Sequence, residues 1–187
     1  MLVNKLPKFH GVAPALVTPM LQDRSIDWKA LSALINHVSQ GGVDYLVVQG
    51  TTGESATTTS DEKKKIVETI KESNAHHLPI VYGIGGNDTE SLLGQIKNTS
   101  FDGIDAILSV APYYNKPSAR GVIDHFKAIA DACPVPVILY NIPGRTGINL
   151  SPETVLTLAD HPNIIGIKEA SCIIEQCIEI AFNKPKD

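Results

Sequence analysis

Ile164-Ile165-Gly166-Ile167-Lys168-Glu169 is an apolar run that ends in an ammonium and a carboxylate. Side chains alternate along a strand, so Lys168 and Glu169 point to opposite faces and one of them faces a sheet interior. A run this short and continuous reads as a strand covered on both sides, as strands of parallel sheets are. Comparable runs begin near Val12, Tyr45, Ile80, Ala106 and Val137, with segments of helical periodicity between them. Helix start signals follow in the right places: Asp27, Ser60, Asp88 or Thr89, Ser118, and Ser151 before Pro152. The alternation predicts a parallel α/β fold, and no linker or low-complexity tract interrupts it, so residues 1–187 read as a single domain.

The polar residues decide between an open sheet and a closed barrel. In a (β/α)8 barrel the reactive groups gather at the carboxyl ends of several strands, because all the βα loops open on one face. Here Gly50-Thr51-Thr52-Gly53-Glu54-Ser55 follows the second run and Pro112-Tyr113-Tyr114-Asn115 the fourth. The fifth run ends in Tyr140-Asn141 and leads to Gly144-Arg145-Thr146-Gly147, and the sixth ends in Lys168-Glu169. An open doubly wound sheet would instead carry a glycine-rich loop after its first strand. The first run is followed by Thr18-Pro19, which favours the TIM (β/α)8 barrel.

Composition removes several classes of function. The formal charge of -4 argues against nucleic acid or an anionic membrane as partner. The basic run Lys63-Lys64-Lys65 is flanked by Asp61, Glu62 and Glu68 and reads as a solvated helix face. No apolar stretch has the length of a membrane span, no signal segment is evident, and a cytoplasmic protein is expected. Cys133, Cys172 and Cys177 lack metal-ligand spacing and read as small hydrophobes. His10, His37, His76, His77, His125 and His161 show no paired ligand spacing either, so neither metal nor cofactor is expected. Gly83-Ile84-Gly85-Gly86-Asn87 lacks the Lys-Ser/Thr of a phosphate loop and reads as the turn after the third run.

Lys168 admits two readings. As a strand-end lysine it snorkels to water. As a partly desolvated amine it attacks a carbonyl, a step that also needs groups to move protons at the carbinolamine oxygen. Tyr140 and Tyr114 offer such phenols and Thr51 a hydroxyl between them, whereas half-buried packing is the alternative for each tyrosine. The Gly50–Ser55 loop suits a small carboxylate through amide and hydroxyl donors, or is a tight βα turn. Arg145 offers a planar fork to a second carboxylate, or is a surface arginine.

Four motifs, in order, carry a resemblance: Gly50-Thr51-Thr52-Gly53-Glu54-Ser55, Pro112-Tyr113-Tyr114-Asn115-Lys116-Pro117, Tyr140 through Gly147, and Gly166-Ile167-Lys168-Glu169-Ala170. From about Phe9 to Asp187 the chain resembles the dihydrodipicolinate synthase and N-acetylneuraminate lyase family of class I, Schiff-base-forming barrels. The resemblance implies that Lys168 forms an imine with pyruvate, and that Tyr140, Thr51 and a Tyr114 from a neighbouring subunit relay protons. It places Gly50 and Thr52 at the pyruvate carboxylate, and Arg145 at the carboxylate of L-aspartate 4-semialdehyde. The implied reaction condenses the two to 4-hydroxy-tetrahydrodipicolinate, on the route to diaminopimelate and lysine, in a homotetramer built as a dimer of dimers. A sister pyruvate aldolase acting on a sugar acid, and a non-catalytic barrel fragment, are the alternatives.

Two departures accompany the resemblance. Family members continue through a seventh and an eighth βα unit, so this chain is expected to hold about six of the eight. Cys172-Ile173 stands where the family has Gly-Asn or Gly-Asp, which strains the turn if φ is positive there. In lysine-regulated members the effector pocket resembles the region of Ser55, Ala56, Asn87 and Tyr113. Ser60, Lys63 and Ser91 replace two histidines and a glutamate that commonly help, so lysine feedback is not expected.

Overall fold

The computed structural model describes residues 8–185 and resolves into two compact units. One runs up to Gly83 and includes Gly103–Asp105; the other comprises Ile84–Asp102 and the chain from Ala106 onward.

In the first unit, β1 (Leu46–Val48) and β2 (Ile80–Gly83) pair in parallel, Leu46 opposite Ile80 and Val48 opposite Tyr82. Helix α1 (Trp28–Gln40) starts at Asp27, whose carboxylate accepts from the Ala30 amide at 2.9 Å, and it buries Leu31 and Ile35. Helix α2 (Ser60–Ser73) buries Ile66 and Ile70. Its cap is Thr59 rather than the expected Ser60. Thr59 and Glu62 form a reciprocal capping box, whose second half the Glu62 carboxylate supplies by accepting from the Thr59 amide at 2.8 Å, whereas Ser60 has Lys63 three residues on. The basic run lies along this helix, and the Lys65 ammonium stands 4.2 Å from the centre of the Trp28 ring, joining α2 to α1.

The run from Val12 departs from expectation. It forms an isolated parallel bridge, Ala15 to Val47, held by Leu16 N–H to Val47 O at 2.9 Å and Val47 N–H to Pro14 O at 3.2 Å. Pro14 has no N–H to extend the ladder. The described residues therefore carry five strands where six were expected.

The second unit contains β3 (Ala106–Val110), β4 (Val137–Asn141) and β5 (Ile164–Glu169), parallel and in chain order. Helices α3 (Thr89–Lys97), α4 (Ala119–Ala132) and α6 (Pro152–Ala159) begin at Asp88, Ser118 and Ser151, each of which accepts a backbone N–H as a cap does. A short turn, α5 (Pro143–Thr146), follows β4, and α7 (Ile174–Asn183) follows β5. Phe126, Ile107, Ile129, Leu139, Leu150 and Leu158 are fully enclosed and form the centre of this unit. The Asn163 side chain donates to the carbonyls of Ala130, Cys133 and Val135, and so ties the start of β5 to the end of α4.

Expected burial on both faces holds along β3 but not along β5, where Ile165 is 48% exposed. The outer faces of β5 and α7 also expose Ile174, Ile178 and Phe182. Cys172 is exposed as well, in contrast to its reading as a packed hydrophobe, and its φ is +63°, the left-handed region in which a Cβ is disfavoured by about 1–2 kcal/mol. Cys172→Gly should therefore raise stability by about 0.5–1 kcal/mol after the added freedom of the unfolded chain is subtracted. A higher denaturant midpoint at unchanged slope would show this. A lower midpoint would mean that the thiol makes up for the strain.

Candidate active site

In the first unit the carboxyl end of β1 turns sharply. Gln49 has φ +53° and is 2% exposed, and its amide carbonyl accepts from Thr58 Oγ at 2.9 Å. The Gln49 amide nitrogen donates to Thr18 Oγ at 3.2 Å, and Thr18 Oγ donates to the Gly53 carbonyl at 2.7 Å. This buried set shapes the loop above it. Thr51-Thr52-Gly53 forms a single 3₁₀ turn behind Gly50, and Glu54 closes it in the left-handed conformation at φ +54°. Thr51 and Thr52 are exposed, so their hydroxyls and amides are presented to solvent. Gly83, at the end of β2, is required here: a Cβ on it would lie 2.1 Å from the Gln49 carbonyl oxygen. Ser55 and Ala56 follow in the same loop.

In the second unit Lys168 and Tyr140 are a cross-strand pair on β5 and β4, and the ammonium stands 4.4 Å from the centre of the tyrosine ring. The ring face favours the ammonium by about 0.5–1 kcal/mol, less than one pKa unit. Desolvation acts the other way and lowers the Lys168 pKa from the ordinary lysine value, even though the residue as a whole is exposed. A lysine so placed holds more free amine at neutral pH than one in water.

Glu169 faces away from Lys168 into a polar cluster. Its carboxylate accepts from Asn141 Nδ2 at 3.0 and 3.1 Å, from Gln176 Nε2 at 2.9 Å and from the Ser171 amide at 2.7 Å. Asn149 links Asn141 to Gln176 with bonds of 2.8 Å on each side. Burial raises the Glu169 pKa, but these donors outweigh it and leave the carboxyl below its ordinary value. Asn141 and Glu169 stand out in the sequence as strand-end polar residues, whereas Asn149 and Gln176 do not. Gln176 stands four residues before Ile180, the spacing that puts both on one face of a helix, and that was the available signal.

Two loops lie beside each other near the ends of β3 and β4. The Tyr114 amide donates to the Thr146 carbonyl at 3.2 Å, so the Tyr114 loop adjoins the turn that carries Arg145. Tyr114 is 87% exposed with φ +75°, and Lys116 has φ +48°. Strained non-glycine residues of this kind collect at functional sites and cost about 1–3 kcal/mol each. Arg145 is exposed. Asn87 Nδ2 donates to the Tyr113 carbonyl at 3.0 Å, joining those two residues. No cluster of three or more His, Cys, Asp or Glu side chains suited to a metal occurs among the described residues.

The comparisons with known proteins agree with one another. The model of the dihydrodipicolinate synthetase family matches residues 8–187. A 4-hydroxy-tetrahydrodipicolinate synthase of Cytophaga hutchinsonii is 51% identical over 96% of this chain and 60% of its own length. That of Flavobacterium psychrophilum is 52% identical over 96% and 61%. The chain thus spans about 60% of the length of the curated relatives it matches. Among solved structures, a synthase from Cyanidioschyzon merolae with lysine bound aligns with a TM-score of 0.90 at 42% identity, over 95% of this chain and 61% of that one. One from Acinetobacter baumannii in complex with pyruvate gives 0.88 at 41% identity, over 92% and 60%. Parallel strands alternating with helices here match the corresponding part of those (β/α)8 barrels, and the chain belongs to the dihydrodipicolinate synthetase family.

Proposed function

We propose that the protein carrying this chain is a class I lyase that condenses pyruvate with L-aspartate 4-semialdehyde to 4-hydroxy-tetrahydrodipicolinate. The observation that carries this reading is Lys168: a lysine of lowered pKa at the carboxyl end of a parallel strand, directly against Tyr140. Its neutral amine attacks the keto carbon of pyruvate, and loss of water gives the imine. Tyr140, with Thr51 and the Tyr114 of a neighbouring subunit, moves the protons that dehydration requires. Thr52 and Gly50 hold the pyruvate carboxylate by amide and hydroxyl donors. Loss of a methyl proton makes the enamine, whose carbon attacks the aldehyde. Cyclisation through the semialdehyde amine then displaces Lys168.

Arg145 holds the second carboxylate and favours the semialdehyde over the sugar acids of sister aldolases. The 87% exposure of Tyr114 fits a residue donated across an interface of a dimer of dimers. The whole of 1–187 contributes to one barrel domain. No helix among the described residues is long and apolar enough to cross a membrane, which is compatible with a cytoplasmic site of action.

Pyruvate with borohydride should add one reduced adduct, on Lys168, and Lys168→Ala should abolish it while leaving the circular dichroism spectrum unchanged. Adduct retained on another lysine would contradict the assignment. Arg145→Leu should reduce kcat/KM for the semialdehyde by about 100-fold or more, as loss of a positioning clamp does, with pyruvate trapping intact. Equal loss of both would make Arg145 structural.

A further inference from the structure

The pairing of β5 with β4 contains one irregularity. Val137 stands opposite Ile164, but the next pair is Ile138 with Gly166, so Ile165 is an extra residue in β5 and bulges outward. Beyond the bulge the register runs Leu139 with Ile167, Tyr140 with Lys168 and Asn141 with Glu169. Without the extra residue, Tyr140 would stand opposite Ile167 and Asn141 opposite Lys168. A slip of one residue also moves each side chain to the other face. Lys168 would then leave Tyr140 and the surroundings that desolvate it.

Bulges disrupt a ladder, and this one sits next to a strand end where pairing is easily lost. What opposes the slip lies at the far end of the strand. Glu169 is gripped by Asn141 of β4, by Gln176 of α7 and by the Ser171 amide in the turn between β5 and α7. Asn141 is fully buried and Gln176 is 6% exposed. Asn141 Oδ1 also accepts from the Leu150 amide at 3.0 Å, and Gln176 Nε2 donates to the Leu150 carbonyl at 3.1 Å, so both amides are anchored independently of the carboxylate. In the slipped alignment Glu169 would turn to the opposite face and take the charged acceptor from two buried amides, leaving Asn141 Nδ2 with Asn149 Oδ1 alone and Gln176 Nε2 with Asn149 Oδ1 and the Leu150 carbonyl. The geometry points to Glu169 as a positioning residue: with Asn141 and Gln176 it locks β5 in the bulged register that sets Lys168 beside Tyr140.

This inference rests on the reading of Lys168 as the nucleophile, so its test begins with the unsubstituted protein carrying this sequence. The rate of pyruvate trapping by borohydride at Lys168 is measured against pH there and in Glu169→Ala, Glu169→Gln and Gln176→Met. Absence of trapping in the unsubstituted protein would overturn the nucleophile reading and this inference with it. In Glu169→Ala, trapping at neutral pH should fall about 100-fold, the cost of an ångström-scale misplacement, and the pH midpoint should rise toward that of an ordinary lysine. Glu169→Gln, which keeps the shape and one acceptor oxygen, should recover much of the rate and most of the midpoint. Gln176→Met, which removes one of the donors to Glu169 together with the bonds to Asn149 and the Leu150 carbonyl, should shift rate and midpoint in the same direction as Glu169→Ala by less, and it decides the matter if Glu169→Ala does not fold. A folded Glu169→Ala or Gln176→Met protein whose midpoint is unchanged would overturn the inference, even if its rate or Tm had fallen, because a merely structural role lowers those without moving the midpoint.

Discussion

One extra residue, Ile165, stands between the pairs Val137 with Ile164 and Ile138 with Gly166, and the placement of Lys168 follows from it. That alignment sets the ammonium against the Tyr140 ring rather than one residue along and on the opposite face. It also sends Glu169 into the cluster of Asn141, Asn149 and Gln176, which turns the end of β5 into a fixed point shared with β4 and α7. The two charges that end the strand thus divide the work. One is partly desolvated, which favours its free amine; the other accepts from Asn141, Gln176 and the Ser171 amide.

Loop shaping repeats this logic at the end of β1. Gln49 takes a left-handed conformation in a buried position, and its side chain ties Thr18, Thr58 and the Gly53 carbonyl together beneath the exposed Thr51 and Thr52. Tyr114 and Lys116 take up similar strain in the loop beside Arg145. Backbone strain of about 1–3 kcal/mol per residue persists only where the surroundings over-determine it. At Gln49 the surroundings are a buried amide network and Gly83, whose missing Cβ lets Gln49 approach.

Much of this was legible in the sequence because it rests on local pattern. Apolar runs of strand length located β1 through β5, and Asp27, Ser118 and Ser151 marked their helices since a cap needs only its own side chain and the next turn. The strain at Cys172 was foreseen only through the resemblance to a family that has a glycine there, and only on the condition of a positive φ. Features that depend on partners distant in sequence were not legible. The Val12 run reads as a strand, yet Pro14 limits it to a bridge. Asn149 and Gln176 lie 27 residues apart and acquire meaning only when α7 packs against α6 and the loop before it. The bulge at Ile165 leaves no mark in an apolar run, because periodicity shows which residues pair with a core but not which residue is skipped.

The placement of Lys168 against Tyr140 bears on the state of one amine, and that state can be observed directly. Lysine side chains labelled with carbon-13 and nitrogen-15 can be titrated by NMR, the Lys168 resonance being assigned by its loss in Lys168→Ala. Desolvation beside Tyr140 predicts that Lys168 titrates below the ordinary lysine value of about 10.4. A Lys168 that titrates at the ordinary lysine value or above it would contradict the claim that β5 delivers a reactive amine.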